Sequence, residues 1–282
     1  MGTFLSTVNR IVSDALSEDV GKKDITTSAI IPKDKKGKAE IIAKENCVIA
    51  GIEIAKTVLI KLDKKASFIS KVKDGESIEK STVIAEIKGE LSSILTAERV
   101  MLNFLQRLSG IATSTSKYVK EAYPVKIMDT RKTTPNLRLL EKYAVKVGGG
   151  LNHRFNLNSA ILIKDNHIKA AGSIKNAVNS ARKRLRSRKI EVEVDSLKKV
   201  KDTIGLNPDI IMLDNMNIKN IKKAVKMIKD YCYHTRNKIK IEVSGRVNLK
   251  NVSKIARTGV DFISVGALTH SVKAIDISLE IK

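Results

Sequence analysis

The 282-residue sequence has no tryptophan and only 2 cysteines, and aromatic residues make up just 4% of it. Cys47 and Cys232 are far apart and form no CxxC spacing, so neither a disulfide framework nor a cysteine zinc site is indicated. A reducing compartment, the cytoplasm, is the expected location. Sparse aromatics leave little surface for stacking on bases. No segment approaches the roughly 18 uncharged apolar residues that a bilayer span requires. The amino-terminal stretch carries Arg10, Asp14, Glu18 and Asp19 in place of an apolar signal core, so no membrane partner is expected. Acidic residues are also few, 30 against 53 Lys plus Arg, for a net charge of +23. That excess makes polyanions the first partners to consider. Yet 40 of the 53 cations are lysines scattered along the chain, which equally describes a lysine-rich surface.

What is present is enough apolar material, 42%, for one large domain or two modest ones. Up to about residue 90 the signals are short. Ala39, Ile41 and Ala43 fall at alternate positions, with Glu40 between the first two, Val48 to Ala50 stops at Gly51, and Phe68, Ser70 and Val72 alternate again, as half-buried strands do. Ile52, Ala55, Val58 and Leu59 recur at helical spacing, which predicts a sheet with helices, an α+β unit. Thr96 is the predicted N-cap of a long helix with Met101, Phe104, Leu105, Leu108 and Ala112 on one face, joining two domains.

Beyond it a unit repeats: an apolar strand ending in a polar residue, then an amphipathic helix. The strands are 125–129, 161–165, 190–195, 210–214, 239–244 and 262–266, with helices capped by Ser173, Ser196, Asn217 and Asn248 and stopped at Gly205 and Gly259. Such alternation means right-handed βαβ crossovers and a parallel sheet. The fold class expected is α/β: an incomplete parallel α/β barrel preceded by an α+β N-terminal domain. The boundaries expected are residues 1–112 and 113–268, with the tail 269–282 packing back on the first domain.

Polar residues at nearly every strand's C-terminal end are the most informative feature, because a barrel gathers those ends at one mouth. They are Asp129 to Lys132, Lys164 and Asp165, Glu193 and Asp195, Asp214, Glu242 and Ser244, and Gly266. Charges inside apolar strands are costly unless paired, so Glu193 and Lys164 require either each other or a polar ligand. Arg131, Lys132, His153, Arg154 and Lys164 outnumber Glu193 and Asp214, which favours an anionic ligand with several acid groups. Ser244-Gly245 and Gly266 match a barrel phosphate cradle or a plain turn. The four histidines lack HxxxH or HExxH spacing, and no GxSxG nucleophile or GxGxxG dinucleotide site is present.

Several stretches then carry a resemblance: Asp129-Thr-Arg-Lys-Thr-Thr-Pro135, Leu139-Leu-Glu-Lys-Tyr-Ala-Val145, Gly148-Gly-Gly-Leu-Asn-His-Arg154 and Leu162-Ile-Lys-Asp-Asn-His167. With Glu191 to Asp195, Ile211 to Met216, Ile263 to His270, Asp24-Ile-Thr-Thr27 and Ala97-Glu-Arg99 in the same order, the chain resembles the quinolinate phosphoribosyltransferases from end to end. The resemblance implies transfer of phosphoribose from 5-phosphoribosyl 1-pyrophosphate to quinolinate with loss of carbon dioxide, in NAD synthesis.

By resemblance, Arg131, His153, Arg154 and Lys164 hold the quinolinate carboxylates, with Thr130 and with Arg99 from a second subunit. Lys132 faces pyrophosphate; Ser244, Gly245 and Gly266 cradle the 5-phosphate; Glu193 and Asp214 meet the ribose hydroxyls and Mg²⁺, and Lys164, Glu193 and Asp214 are the catalytic set. A homodimer with shared sites is implied, and a hexamer is compatible. Asn136, Asn156 and Arg246 stand where the family pattern has glycine, Lys23 likewise, and Lys44 is either a phosphate contact or a solvated strand residue. Two other readings remain, a related pyrophosphorylase-like protein linked to molybdenum transport and a nucleic-acid-binding protein. The latter is motivated by the run Arg182 to Lys189, which sits where cations suit a helix C-terminus.

Overall fold

The computed structural model describes residues 2–185 and 187–282, so Arg186 of the basic run lies outside the described residues. In chain order the elements of the first half are α1 (Gly2–Val20), α2 (Ile25–Ile30), β1 (Lys36–Ala43), β2 (Cys47–Val48), α3 (Ile52–Leu62), β3 (Ser67–Ser70), β4 (Ser77–Ile78), β5 (Val83–Glu90) and α4 (Leu91–Ala122). The second half contains β6 (Lys126–Met128), α5 (Arg138–Val147), β7 (Ile161–Ile163), α6 (Asp165–Ala171), α7 (Ile174–Arg184), β8 (Ile190–Val194) and α8 (Leu197–Ile204). It continues with β9 (Ile210–Asp214), α9 (Ile218–Thr235), β10 (Lys240–Ser244), α10 (Val252–Ala256), β11 (Phe262–Ser264), α11 (Ala267–His270) and β12 (Ile277–Ile281). Among the described residues no helix is long and apolar enough to cross a membrane.

The chain forms two compact units. The first comprises residues 1–116, 133–149 and 268–282; the second comprises 117–132 and 150–267. The first is built on an antiparallel sheet in the order β12-β1-β5-β3, so the C-terminal strand pairs with β1, Ala39 facing Ile281 and Ala43 facing Ile277. The alternation read in β1 is real: Ala39, Ile41 and Ala43 are buried, and of these the Ile41 side chain contributes most, about 1.5–3 kcal/mol. β3 departs from expectation. Its residues are mostly exposed, because it is the edge strand of the sheet. Ile52, Ala55, Val58 and Leu59 bury the predicted face of α3, whose first amides are capped by the Asp74 carboxylate, bonded to Gly51 N and Ile52 N.

The long helix begins at Leu91, not after Thr96. The Leu91 amide, an orphan at a helix start, finds the Lys35 carbonyl at 2.8 Å, and Thr96 inside the helix donates its hydroxyl to Asp24 Oδ2. An ion pair with a buried carboxylate ties this unit together. Glu141, fully buried on α5, accepts from Arg107 Nε at 2.9 Å and from the Thr134 amide, while Arg107 also donates to Thr134 Oγ1 and the Thr269 carbonyl.

The second unit is the parallel sheet, in the order β6-β11-β10-β9-β8-β7. Strands consecutive in sequence lie side by side from β7 to β11, and β6 closes onto β11. β6 and β7 are not paired with each other, as in a barrel that fails to close. Leu151 makes a parallel bridge to Met128 on the β6 side of that gap. The segment between these two strands carries α5, which belongs to the first unit, so the crossover helix expected there is contributed elsewhere.

Ser173, Ser196 and Asn217 cap α7, α8 and α9, each accepting from the amide three residues on. Asn248 does not cap α10. It accepts from the Lys250 amide in a local turn, and the helix starts after Asn251. Gly205 ends α8 as expected, whereas α10 stops at Ala256, three residues short of Gly259. At the end of α7, Arg182 donates to the carbonyls of Leu206 and Asn207, a helix-end clamp within the unit.

Candidate active site

All strands of the second unit run the same way, so their C-terminal ends share one edge of the sheet. Every predicted site residue except Arg99 belongs to this unit; Arg99 is an exposed residue of α4 in the first unit. Register fixes the levels. Ser244 lies opposite Asp214, and Glu193 lies opposite Met212, one side chain deeper on the neighbouring strand.

Lys164, just past β7, reaches across to Glu193 on β8, with Nζ 2.5 Å from Oε2. Each of the two had been expected to meet either a ligand or a counter-charge, and they meet each other. The lysine side chain is still 43% exposed against 16% for the glutamate, so the pair lies at the accessible edge of the sheet with the cation outermost. The Lys164 amide donates to His167 Nδ1, closing the first turn of α6, so His167 orients this loop.

Arg131 and Arg154 are the least usual pair. Both are partly buried, and the Arg154 guanidinium is held below its ordinary range, first by burial and then by the neighbouring Arg131 charge, with Glu191 acting in the opposite sense. Arg154 donates one Nη to the Ala160 carbonyl, and its Nε is buried without a hydrogen-bond partner. Two close guanidinium groups in a partly dry setting are the donor set that grips a carboxylate or phosphate. The loop bearing Arg131 is shaped locally: the Lys132 amide donates to Thr130 Oγ1, and Lys132 itself is exposed. Asp129 is fully buried and takes the His153 amide on Oδ1 at 2.9 Å, linking the Arg131 and Arg154 segments.

Asp214 is half-buried and accepts from Asn215 Nδ2 at 2.6 Å. Beside it, Asn215 donates its amide to the Ser244 carbonyl. Gly245 has φ +86°, and a Cβ there would sit 2.4 Å from Asn215 Oδ1, so this close approach requires glycine. Arg246 adopts φ +54° and is exposed, its carbonyl taking Asn251 Nδ2, which makes it a solvated side chain at a strained position. Asn136 likewise takes φ +65°, the left-handed geometry that asparagine tolerates, whereas Asn156 instead caps a turn through Asn158 and Ser159. Gly266 is half-buried between β11 and α11. Lys44, in the first unit, pairs with Glu280 at 2.7 Å.

Glu242, read as a strand-end residue, belongs to a deeper polar layer together with Glu191, which sequence reasoning passed over. Glu191 on β8 and Glu242 on β10 are buried, and His153 Nε2 lies 3.1 Å from Glu191 Oε2 and 3.7 Å from Glu242 Oε1. Ser264 on β11 donates to Glu242 Oε1. Burial, then the Glu191 charge, pushes the Glu242 carboxyl up to about 8. The signal was available: residues two apart on a strand share a face, so an inward Glu193 implies an inward Glu191.

Comparison with known proteins agrees with this layout. Residues 24–109 match the family model for the quinolinate phosphoribosyl transferase N-terminal domain, and residues 111–280 match that for the C-terminal domain. A probable nicotinate-nucleotide pyrophosphorylase (carboxylating) from Synechocystis is 45% identical over 94% of this chain and 90% of its own length. A quinolinate phosphoribosyltransferase (decarboxylating) from Nicotiana tabacum is 41% identical over 96% of this chain and 81% of its own. The solved structure of the nicotinate-nucleotide pyrophosphorylase from Francisella tularensis superposes with a TM-score of 0.92 at 42% identity, covering 98% of this chain and 96% of that one. The matches extend over both units in sequence and in structure, and the chain belongs to the quinolinate phosphoribosyltransferase family.

Proposed function

We propose that this chain joins quinolinate to 5-phosphoribosyl 1-pyrophosphate, releasing pyrophosphate and carbon dioxide and leaving nicotinate mononucleotide. The observation that carries the reading is that Arg131 and Arg154 are both partly buried and near enough for the Arg131 charge to act, after burial, on the Arg154 guanidinium, a donor set suited to a carboxylate dianion. Quinolinate brings two carboxylates, and the donor brings a phosphate and a pyrophosphate. Arg131, Arg154, Lys164 and His153 are assigned to the carboxylates with Thr130, Lys132 to the pyrophosphate, and Ser244, Gly245 and Gly266 to the 5-phosphate.

The reaction needs no side-chain nucleophile. The pyridine nitrogen forms the bond to the anomeric carbon as the bond to pyrophosphate breaks, and the electron pair leaves with pyrophosphate. Glu193 and Asp214, on adjacent strands, stabilise the positive charge that develops on the sugar. Lys164 holds the ring carboxylate in register and offsets Glu193 until substrate arrives. The pyridinium formed is then an electron sink: the bond to the adjacent carboxylate breaks, carbon dioxide departs, and a solvent proton takes its place on the ring. Positioning and charge supply most of the rate.

Glu193 and Asp214 are oxygen donors one side chain apart in level at the accessible edge, a set that suits Mg²⁺, which binds few carboxylates and keeps substrate oxygens. Bound there, the ion would add positive charge beside the leaving pyrophosphate. Arg99 is assigned to the site of a second subunit, in a homodimer that further association could extend to a hexamer; its exposure on α4 supports that role. The low cysteine count supports a cytoplasmic setting.

The test is turnover. With quinolinate, the phosphoribosyl donor and Mg²⁺, the protein forms nicotinate mononucleotide, and Arg131→Ala lowers kcat/KM by about a hundredfold or more, the loss of a charge-assisted bidentate contact. Folded protein without turnover contradicts the reading. For the shared site, mixing inactive Arg99→Ala with inactive Lys164→Ala restores activity through hybrid dimers that hold one intact site, and no recovery after subunit exchange contradicts it.

A further inference from the structure

Beneath the strand-end residues lie two buried carboxylates, Glu191 and Glu242. Glu242 is fully buried and Glu191 is 5% exposed, so neither can touch substrate directly. Their common partner is the His153 ring. The His153 backbone is held as well, its amide donating to Asp129, the residue that opens the Thr130 to Lys132 loop. The next residue after His153 is Arg154. One histidine thus connects the buried carboxylates to both arginine-bearing segments.

Carboxylate oxygens only accept, so a ring nitrogen 3.1 Å from Glu191 carries a hydrogen, which fixes the tautomer and the ring plane. Glu242 has a different task. Its Oε1 takes the Ser264 hydroxyl, and its Oε2 is buried with no hydrogen-bond donor. An acceptor in that situation is costly unless it bears the proton itself. Burial supports this, since the Glu242 carboxyl is pushed up to about 8 with Glu191 as its carboxylate neighbour. Glu242 then keeps its proton at neutral pH.

We propose that Glu242, braced by Ser264, is a positioning residue which, with Glu191, holds the His153 ring and thereby sets the Arg154 segment for the carboxylates of quinolinate. The inference rests on the proposed function, because it takes quinolinate as the ligand of Arg154. It assigns no chemistry to Glu242, only the placement of a substrate contact.

The experiment compares Glu242→Leu, Glu242→Gln and Ser264→Ala in the full-length protein, measuring KM for each substrate separately along with kcat and the melting temperature. Expected is a rise of about tenfold or more in KM for quinolinate in Glu242→Leu, with KM for the phosphoribosyl donor within about twofold of wild type. Glu242→Gln, which keeps the shape and a donor, recovers most of the quinolinate KM. Ser264→Ala, a smaller change that tests the brace if Glu242→Leu does not fold, moves the quinolinate KM in the same direction. Equal rises in both KM values, or no change in either while wild type turns over, overturn the proposal. So does a tightly held divalent ion in the wild type that Glu242→Leu loses, since the cluster would then be a metal site. A wild type that does not turn over counts against the function reading instead.

Discussion

Glu191 and Glu193 stand two positions apart on the same face of β8, yet one meets a histidine whose side chain is 11% exposed and the other a lysine whose side chain is 43% exposed. Depth along the strand makes that difference, and depth also decides what the glutamates do to stability. Glu242 shows the sign most clearly. Its carboxyl is raised from 4.5 to about 8, chiefly by burial and then by Glu191, so the folded protein holds this proton more tightly than the unfolded chain does. Its stabilising contribution is complete below the unfolded value, and it is lost as pH rises through the folded one. Wild type is therefore expected to lose thermal stability between pH 5 and pH 8 more steeply than Glu242→Gln, as calorimetry at a series of pH values would record. Parallel pH profiles for the two proteins would contradict that assignment. At this scale the strand-end charges and glycines of the candidate site were legible from their spacing in the sequence, whereas the roles proposed for them come from the family resemblance. Glu191 was missed through attention to strand ends over strand faces. The left-handed backbone at Arg246 was signalled only by the glycine that the family pattern has there, because arginine itself is seldom chosen for such a geometry.

Among the elements, legibility followed local chemistry. Ser173, Ser196 and Asn217 cap helices because a side-chain oxygen next to the first turn satisfies an amide wherever the fold places it. α4 starts early because its first amide is satisfied by Lys35, more than fifty residues back in sequence, and no local rule reports that partner. The two asparagines before α10 compete for one role. Asn251 Oδ1 accepts the Asn248 amide while Asn248 Oδ1 accepts that of Lys250, so both are spent on the turn that precedes the helix. The same helix α4 offers a test of packing against propensity. A Cβ at Gly110 would lie 2.3 Å from the Lys273 carbonyl oxygen, a backbone atom that cannot simply swing away. Alanine favours helix by up to about 1 kcal/mol over glycine. Overpacking of this kind costs about 1–3 kcal/mol. Gly110→Ala is thus expected to lower the urea midpoint in equilibrium unfolding, and a raised midpoint would show that the C-terminal segment yields to the helix.

For the whole molecule, the fold class was readable because strand and helix alternate along the second half, and such alternation has few topological solutions. The interruption of that pattern was not readable. α5 has a helix's periodicity and lies between two barrel strands in sequence, yet residues 133–149 join the first unit, where buried Glu141 pairs with Arg107. Periodicity specifies an element, whereas its long-range partners specify where it goes. The net charge of +23 is read in the same manner: four cations of the second unit, Arg131, Lys132, Arg154 and Lys164, are the ones proposed to meet small acidic metabolites. The remaining lysines need no polyanion to explain them. The central claim is that this cationic edge joins phosphoribose to quinolinate and expels one carboxylate in the same catalytic cycle. Product stoichiometry tests it most directly, with carboxyl-labelled quinolinate and the phosphoribosyl donor supplied together. Equal amounts of carbon dioxide, pyrophosphate and nicotinate mononucleotide are predicted; pyrophosphate released without carbon dioxide, or no product from folded protein, would contradict the account.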